Sequence, residues 1–510
     1  MENGRIKIVC DLRPTGDVEQ DKLIIPKIIS LTMSLHQKNV ADMDRLINYY
    51  YNKTDVLNKT KTQQPEINNR TGIDYASIAV NTINGYSFSN ALTYSSRKAN
   101  DEESMKAFND SLDDDNYSSK LKKIALNYGI TGLAYKYVMP TTPEEIDEGI
   151  FYKTVTDIDP RNTYCVYFNN IEKEKICAIH FYQRKVYDSK LNVEDSQKVY
   201  IVWTKWHQWQ FISGGPNGYE NLTYTINGLQ YDAYPLVYNK IPIIEYRSLD
   251  GTSYFELAMD LINAINALAS SRVDDVQQSV DYIIVLRDID TNSEGALTRI
   301  KSCLKDGILS FKSNEGALVQ PSIDVLDTKL NQQEVQTLQE FLCQKVEEVL
   351  NIPNRNNRAS GGDTGTAVES RNGFRSLENK ASIITDDIIA GENEALGVIF
   401  AICKNIQRCD FKNLRPRDIE IKDNRNKYEN ITSASNAYAT LRSAGMNDRT
   451  AIEVTRLAPD AITVSKLNEQ AKQKDAEETL QNELKRTQEL AKLTPNNNES
   501  TNNGSNSNEE

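Results

Sequence analysis

Cysteine is sparse and poorly spaced for cross-linking. The 7 cysteines, Cys10, Cys165, Cys177, Cys303, Cys343, Cys403 and Cys409, include no C-x-x-C pair, which argues against a zinc ribbon or a disulfide scaffold. Buried thiols in a reducing compartment are the expectation. Histidine is scarcer still: His36, His180 and His207 lie in three different segments, so a histidine triad or metal site would need assembly from distant places. The chain also lacks H-E-x-x-H, G-x-x-x-x-G-K-[ST], G-x-S-x-G and G-x-G-x-x-G, the spacings that carry zinc hydrolysis, phosphate cradling, acyl transfer and dinucleotide binding. No uncharged apolar run is long enough to span a bilayer, and no charged-then-apolar signal opens the sequence. A cytosol-like environment without membrane contact is expected. There is no basic excess either: Lys+Arg 59 against Asp+Glu 72 gives 59 − 72 = −13, with a pI near 5.1. A general, tight DNA binder is excluded, and any nucleic-acid contact must be local.

What is present is enough apolar material for real cores, 39% of 510 residues, and a length that suits about two to four domains or subdomains. The most organised stretch runs from Val325 to Lys404. Val335, Leu338, Leu342, Val346 and Val349 recur at helical spacing, then the pattern stops at Asn351, Pro353, Asn354, Asn356, Asn357, Gly361 and Gly362, all turn formers or helix breakers. Arg355 and Arg358 are the only charges between Glu348 and Asp363. Thr366 and Glu369 fit a capping box for a second helix, continued by Leu377, Ala381, Ile384, Ile388, Ala395, Ile399 and Ile402, with Gly391 as the expected weak point or kink. The loop between these helices reads either as an ordinary polar connection or as a light, sequence-independent contact to a polyanion, since Asn and Arg bond phosphates without reading bases.

Along the rest of the chain, residues 1–21 read as a loose arm. Ile25, Ile28, Ile29, Met33 and Leu35 suggest one helix, and Met43, Leu46, Tyr49 and Tyr50 a second. The polar run from Lys53 to Arg70 reads as an exposed loop. Helices are expected over Asp74–Leu92 and, in two pieces broken at Asp113-Asp114-Asp115, over Asp101–Tyr128. That acidic turn suits solvent better than a divalent cation. From Thr131 to Tyr246 the period shortens to two and β-branched and aromatic residues dominate, which predicts a mostly antiparallel sheet set on the preceding helices. Trp203, Trp206 and Trp209 fall in this stretch and read as sheet packing before base stacking. Ser253 and Glu256 propose another capping box. The following helix carries apolar residues on more than one side up to Val280, so either its own chain or a neighbouring copy covers them. A strand at Tyr282–Leu286, a short helix at Ser293–Leu304 and a strand at Gly307–Phe311 make a compact insert. A strand at Asp418–Ile421 and helices at Ser433–Ala444, Asp448–Leu457 and Val464–Lys492 follow. Thr494–Glu510 is too polar to fold alone.

Three passages together resemble the portal proteins of tailed bacteriophages, in the branch of long non-contractile-tailed phages of Gram-positive hosts. They are Ile241-Pro-Ile-Ile-Glu-Tyr-Arg247 with Gly251-Thr-Ser-Tyr-Phe-Glu256 and Leu261-Ile-Asn-Ala-Ile-Asn-Ala-Leu-Ala-Ser-Ser271; Val349-Leu-Asn-Ile-Pro-Asn354 with Gly361-Gly-Asp-Thr-Gly-Thr-Ala367; and Asn69–Tyr94. The likeness covers about residues 40–460 and rests on the order and spacing of individually soft motifs. Asn263 departs from it, since aspartate is common there in the family.

The resemblance implies an α+β, predominantly α portal fold: an N-terminal arm (1–29), a wing of helices then β-rich sequence (30–252), stem helices (253–278 and 324–350) flanking a small α/β clip (279–323), a tunnel loop (351–365), a long kinked helix (366–404), a return to the wing (405–429), a helical crown (430–492) and a tail (493–510). It implies a ring of twelve identical subunits at one capsid vertex, without cofactor, metal or enzymatic activity. Double-stranded DNA would pass through non-specifically. The large terminase, the major capsid and scaffolding proteins and a head-completion adaptor would dock outside. Asn354, Arg355, Asn356, Asn357 and Arg358 are the residues expected to face DNA; Leu261, Ile265, Leu268, Val335, Leu338 and Leu342 are those expected at the subunit contact. Two other classes stay open on the residues alone: a metal-dependent nucleic-acid enzyme and a monomeric helical scaffold.

Overall fold

The structure, a computed structural model, describes residues 4–62, 65–98, 101–187, 193–214, 218–226, 228–280, 283–287, 298, 322–326, 332–353, 374–425, 431–455, 457–458 and 461–493. Two compact units emerge: Met1–Leu92 with Ser96–Glu420, and Thr93–Ser95 with Ile421–Glu510.

The first unit corrects the reading of its opening residues. From Gly4 onward the arm is held by the rest of its unit: β1 (Val9–Cys10) adds in parallel to a strand at Thr163–Phe168, and Arg5, Ile8 and Cys10 are buried. A short extended segment has no periodicity to betray it, because its backbone bonds hold it in place. Helix α1 (Val18–Tyr50) is a single helix where two were expected. The polar residues that suggested a break have partners inside the unit. His36 donates from Nε2 to the Arg161 carbonyl at 2.8 Å and stacks on Tyr164. Asn39 accepts from Ile6 N–H at 2.9 Å and donates to the Ile6 carbonyl at 3.0 Å, as a strand would. A buried polar group with its bonds made does not interrupt a helix.

The chain continues through α2 (Tyr75–Ser87), β2 (Thr93–Ser96), α3 (Glu102–Asp114), α4 (Tyr117–Thr131), β3 (Leu133–Pro140), the short α5 (Pro143–Asp147) and β4 (Tyr152–Val155). Next come β5 (Thr163–Phe168), β6 (Lys175–Tyr187), β7 (Val193–Trp203), β8 (His207–Ser213), β9 (Tyr219–Leu222), β10 (Tyr224–Ile226), β11 (Leu229–Tyr231), β12 (Tyr234–Pro235) and β13 (Ile243–Arg247). The main sheet runs β1-β5-β6-β7-β8-β12 with β9 also on β8. All of its pairings are antiparallel except that of β1. Ile25, Ile28 and Ile29 of α1 lie against Val166, Ile179, Val202, Trp209 and Phe211 of this sheet; each isoleucine buried this fully contributes about 1.5–3 kcal/mol. A second sheet, β13-β3-β4, carries the longest helix of this unit after α1.

Beyond a 3-10 turn at Glu256–Ala258, α6 (Met259–Val280) leads to β14 (Ile283–Arg287). Its partner β15 is Ser322–Leu326, antiparallel with Ile283 opposite Leu326. The second stem helix therefore does not begin at 324: Ile323 and Val325 alternate with Ser322 and Asp324 at the period of a strand, and α7 spans Gln332–Leu350. The helix and strand expected at Ser293–Leu304 and Gly307–Phe311 fall outside the described residues, Thr298 excepted. Helix α8 (Phe374–Cys403) runs unbroken across Gly391. The glycine also serves close contact: a Cβ there would run into the ring of Tyr246. The capping box at Thr366 lies outside the described residues.

In the second unit, β16 (Ile419–Lys422) and β2 form a two-stranded sheet. The helices α9 (Ile431–Ser443), α10 (Asp448–Thr455) and α11 (Ala461–Leu493) follow. Asp448 organises the middle of it, accepting from Tyr438 Oη at 2.5 Å and from Asn468 Nδ2 at 2.9 Å.

Candidate channel and subunit-contact site

The long helix α8 is fastened to α2, α4 and the strands β3, β6 and β13 through acidic side chains. Tyr86 donates to Glu378, Tyr128 to Asp387 and Tyr246 to Glu392, each at 2.6 Å. Lys136 reaches Glu392 at 2.6 Å with both side chains sealed from water, and Lys175 reaches Glu394 at 2.5 Å. Burial pushes the Asp387 carboxyl up, and burial beside Glu392 pushes the Tyr246 hydroxyl far up, so it stays a donor. Charged hydrogen bonds of this kind are stronger than neutral ones and fix register.

Where α6 begins and α7 ends, three helices meet. Ser253 N–H donates to Glu256 at 3.0 Å, half of the expected capping box; the Ser253 hydroxyl instead donates to the Gly129 carbonyl at 3.1 Å. Glu256 also takes the buried guanidinium of Arg5. At the other end, Asn351 adopts φ +58, its N–H reaching the Glu348 carbonyl at 3.2 Å and that of Ile352 the Glu347 carbonyl at 2.9 Å. This is a Schellman close with asparagine in the left-handed seat usually taken by glycine. The N-I-P of the sequence motif is thus a helix stop.

Along α6 a polar ladder grips the stretch from Tyr49 to Ile73. Asn263 accepts from Tyr49 at 2.9 Å and donates to Asp55 at 3.2 Å. Asn266 accepts from Ile73 N–H at 2.8 Å and Ser270 from Thr71 N–H at 2.9 Å. Asp274 accepts from Asn69 N–H at 2.7 Å and from Lys59 at 2.8 Å. Burial alone would raise the Asp274 pKa, but Lys59 and Asn69 outweigh it and hold it down to about 2. The run Lys53–Arg70, read from sequence as an exposed loop, is strapped to α6 through its described residues Thr54, Asp55, Lys59 and Asn69. Asn263 stands where the resemblance leads one to expect aspartate, and its amide is one of the donors that Asp55 accepts, beside the Tyr49 hydroxyl. Asn263→Asp should set two carboxylates face to face. We expect a loss of about 1 kcal/mol at low salt, modest because Asp55 is exposed, and smaller at high salt, where the repulsion is screened. Denaturant midpoints of the two proteins at pH 7 in low and high salt check this.

Of the predicted subunit-contact residues, Leu338 is half exposed at 50% and Leu261, Leu268, Val335 and Leu342 are partly buried. Ile265 is corrected: at 0% exposure it is fully covered by its own chain and has nothing to offer a neighbour, so a polar residue there would disrupt the fold and say nothing of assembly. Sequence periodicity marks a face but cannot tell which molecule covers it. Two apolar residues missed as contacts stand open beside Leu338 on α7, Phe341 at 53% and Val349 at 41%. They lie on one helical face, flanking the buried face of Val346 and Leu350. Asn354, Arg355, Asn356, Asn357 and Arg358 lie outside the described residues.

Trp209 is fully buried and Trp203 nearly so, while the ring of Trp206 lies against Gly16, in keeping with sheet packing. Asp115 of the acidic turn accepts from Lys120 at 2.5 Å and from the Thr154 hydroxyl, a structural role. Among the described residues no three His, Cys, Asp or Glu side chains gather as a metal ion would need, and no helix is long and apolar enough to cross a membrane.

A helix-backed antiparallel sheet, the helices α6 and α7 packed on each other and the long helix α8 against β13 and β3 define the class, an α+β fold that is mainly α. The chain belongs to the phage portal protein family, SPP1 Gp6-like, whose family model matches residues 34–483. No curated protein matches it. It is therefore a component of the tailed-phage virion, the head-to-tail connector through which DNA is packaged and ejected, and a member of a family that is structural, forms rings of itself and associates with capsid and terminase.

Proposed function

We propose that the ring closes through the stem, with twelve copies placing the open face of α7 against the next subunit. The carrying observation is the stripe Leu338, Phe341 and Val349, about half exposed in the single chain in a protein whose mean hydropathy is only −0.57. Leu257 and Val273, at 68% and 43% exposure, add apolar surface at and along the first stem helix. Clusters of this kind mark contact sites on otherwise polar chains. In this reading residues 253–278 and the helix Gln332–Leu350 are the stem, residues 279–323 the clip that meets the terminase and later a head-completion adaptor, residues 30–252 the wing that faces capsid and scaffolding proteins, and residues 430–492 the crown. Assembly takes place in the host cytoplasm, and the protein supplies a conduit with no chemistry of its own.

Asn354, Arg355, Asn356, Asn357 and Arg358 follow directly on the helix stop at Asn351, and we assign them to the channel. Rings of arginine in an acidic pore give phosphates local attraction without a continuous adhesive surface. Retention grows with the number of phosphates neutralised, so a fully basic channel would hold DNA fast. Arg355→Ala with Arg358→Ala should leave rings intact and lower DNA packaging or retention. Heads of the double variant that fill to wild-type length and hold it would refute the assignment.

A further inference from the structure

We infer that Lys380 is the joint that ties the wing-side ends of both stem helices to the long helix, and is thereby a positioning residue for the channel. Its Nζ donates to the Tyr254 carbonyl at 3.1 Å, where the chain enters the first stem helix, and to the Leu350 carbonyl at 3.3 Å, the last residue of the second. It also lies 5.7 Å from the centre of the Tyr254 ring. One side chain of α8 thus binds three elements at the point where the chain leaves the stem. The chemistry suits the place. The last carbonyls of a helix have no partners within it, so an N–H donor there satisfies them, and an amine keeps donors whether charged or neutral. The Schellman bonds of Asn351 and Ile352 use the carbonyls of Glu348 and Glu347; Lys380 takes that of Leu350.

The joint is also sensitive to protons. Burial holds the Lys380 amine down to about 8, offset only in part by Asp250 in the loop before the first stem helix. The other charged or titratable groups at this junction are Glu347 and Glu348 on α7, Tyr254 and Tyr128, and Glu378 and Asp387 on α8. The two α8 carboxylates are bonded to Tyr86 and Tyr128, and burial moves the hydroxyls of Tyr128 and Tyr254 upward. Lys380 is the group at this junction brought into the neutral range. An amine that binds its proton less tightly in the closed joint than in the open one makes the closed joint firmer as pH rises from about 8 toward the ordinary lysine value near 10.5. It loosens as pH falls from about 10.5 to about 8, and below 8 this group makes no further difference.

The inference deepens the channel reading and rests on it for function, but the contact lies within one chain and is testable without a ring. Hydrogen exchange, corrected for intrinsic rates, is to be followed from pH 7 to pH 10 over residues 346–352 and 253–259 in the full chain, its Lys380→Met variant and its Lys380→Arg variant. Lys380→Met should exchange roughly tenfold faster than wild type above pH 8 in both segments. Wild type should gain protection as pH rises, relative to Lys380→Arg, whose charge does not titrate there. Lys380→Met exchanging like wild type in both segments would overturn the joint, and parallel wild-type and Lys380→Arg profiles would overturn its titration. Packaging then tests the channel role. Lys380→Met rings should form yet package less DNA, and wild-type packaging by that variant would sink the positioning role even with the joint proven. Absence of rings from the wild-type chain would instead sink the assembly reading and leave the exchange result standing.

Discussion

Replacing Lys136 with methionine is expected to cost about 3–5 kcal/mol, the amount typical when one partner of a buried ion pair is removed and the other is stranded. Both side chains of the Lys136–Glu392 pair are sealed, at 2% and 3% exposure. Tyr246 donates to the same carboxylate oxygen, and the rings of Tyr117 and Tyr246 lie 5.4 Å and 5.6 Å from the ammonium. A methionine fills much of the lysine's volume, so the loss is one of charge and not of packing. Adding Glu392→Gln to Lys136→Met should restore part of the loss, because an amide costs far less to bury than a carboxylate that has lost its cation. The contrast lies two residues along the same helix: Glu394 is 43% exposed, so Lys175→Met leaves a carboxylate that water can solvate, and we expect a clearly smaller loss. Denaturant unfolding of the three variants at pH 7 decides it. A Lys136→Met midpoint within error of wild type would show that the long helix is not held by this pair.

The pair was invisible in the sequence. Lys136 sits in an alternating stretch where an outward polar residue is ordinary, and nothing local says that a helix more than two hundred residues later supplies its partner. The same holds for the strap, whose Asn, Thr and Lys residues have loop composition and whose order comes from a helix far along the chain. Short-range patterns were legible: Asp113-Asp114-Asp115 ends α3 and Gly445 follows α9 as expected, because turn chemistry acts within a few residues. The β-rich stretch was legible for the same reason, since period-two alternation is local. Boundaries that depend on a distant partner were not. Ser322–Leu326 is a strand because β14 is there to pair with it, and the arm at Val9–Cys10 is a strand because β5 offers an edge.

Gly391 shows the limit from the other side. A glycine in a helical pattern reads as a weak point, yet here it lets a tyrosine ring approach the backbone, information held by Tyr246 and not by the helix. Of the site, the helix stop at Asn351 and Pro353 could be read from composition, and the apolar face of α7 from spacing. Which residues of that face are spare could not, since Val346 at 0% and Leu338 at 50% exposure are equivalent in periodicity.

That difference between Val346 and Leu338 leads to the second large effect. Leu338→Asp with Phe341→Asp should abolish rings while leaving the subunit folded. Each side chain is about half exposed in the single chain, so replacing it removes little internal packing. Against a neighbour, burying the remaining surface is worth on the order of 1 kcal/mol per side chain, and an aspartate there adds the larger cost of taking a charge out of water. In a closed ring every interface carries one such stripe, so the penalty recurs at each contact and no arrangement of copies avoids it. The wild-type chain should scatter light as a particle many times 57.8 kDa, and the double variant as one subunit with unchanged far-ultraviolet dichroism and thermal midpoint. Ile265→Asp provides the opposite signature, since a charge at a fully buried position should lower the thermal midpoint before any question of assembly arises. Rings of wild-type mass from the double variant would mean that the open stripe on α7 faces something other than a sister subunit.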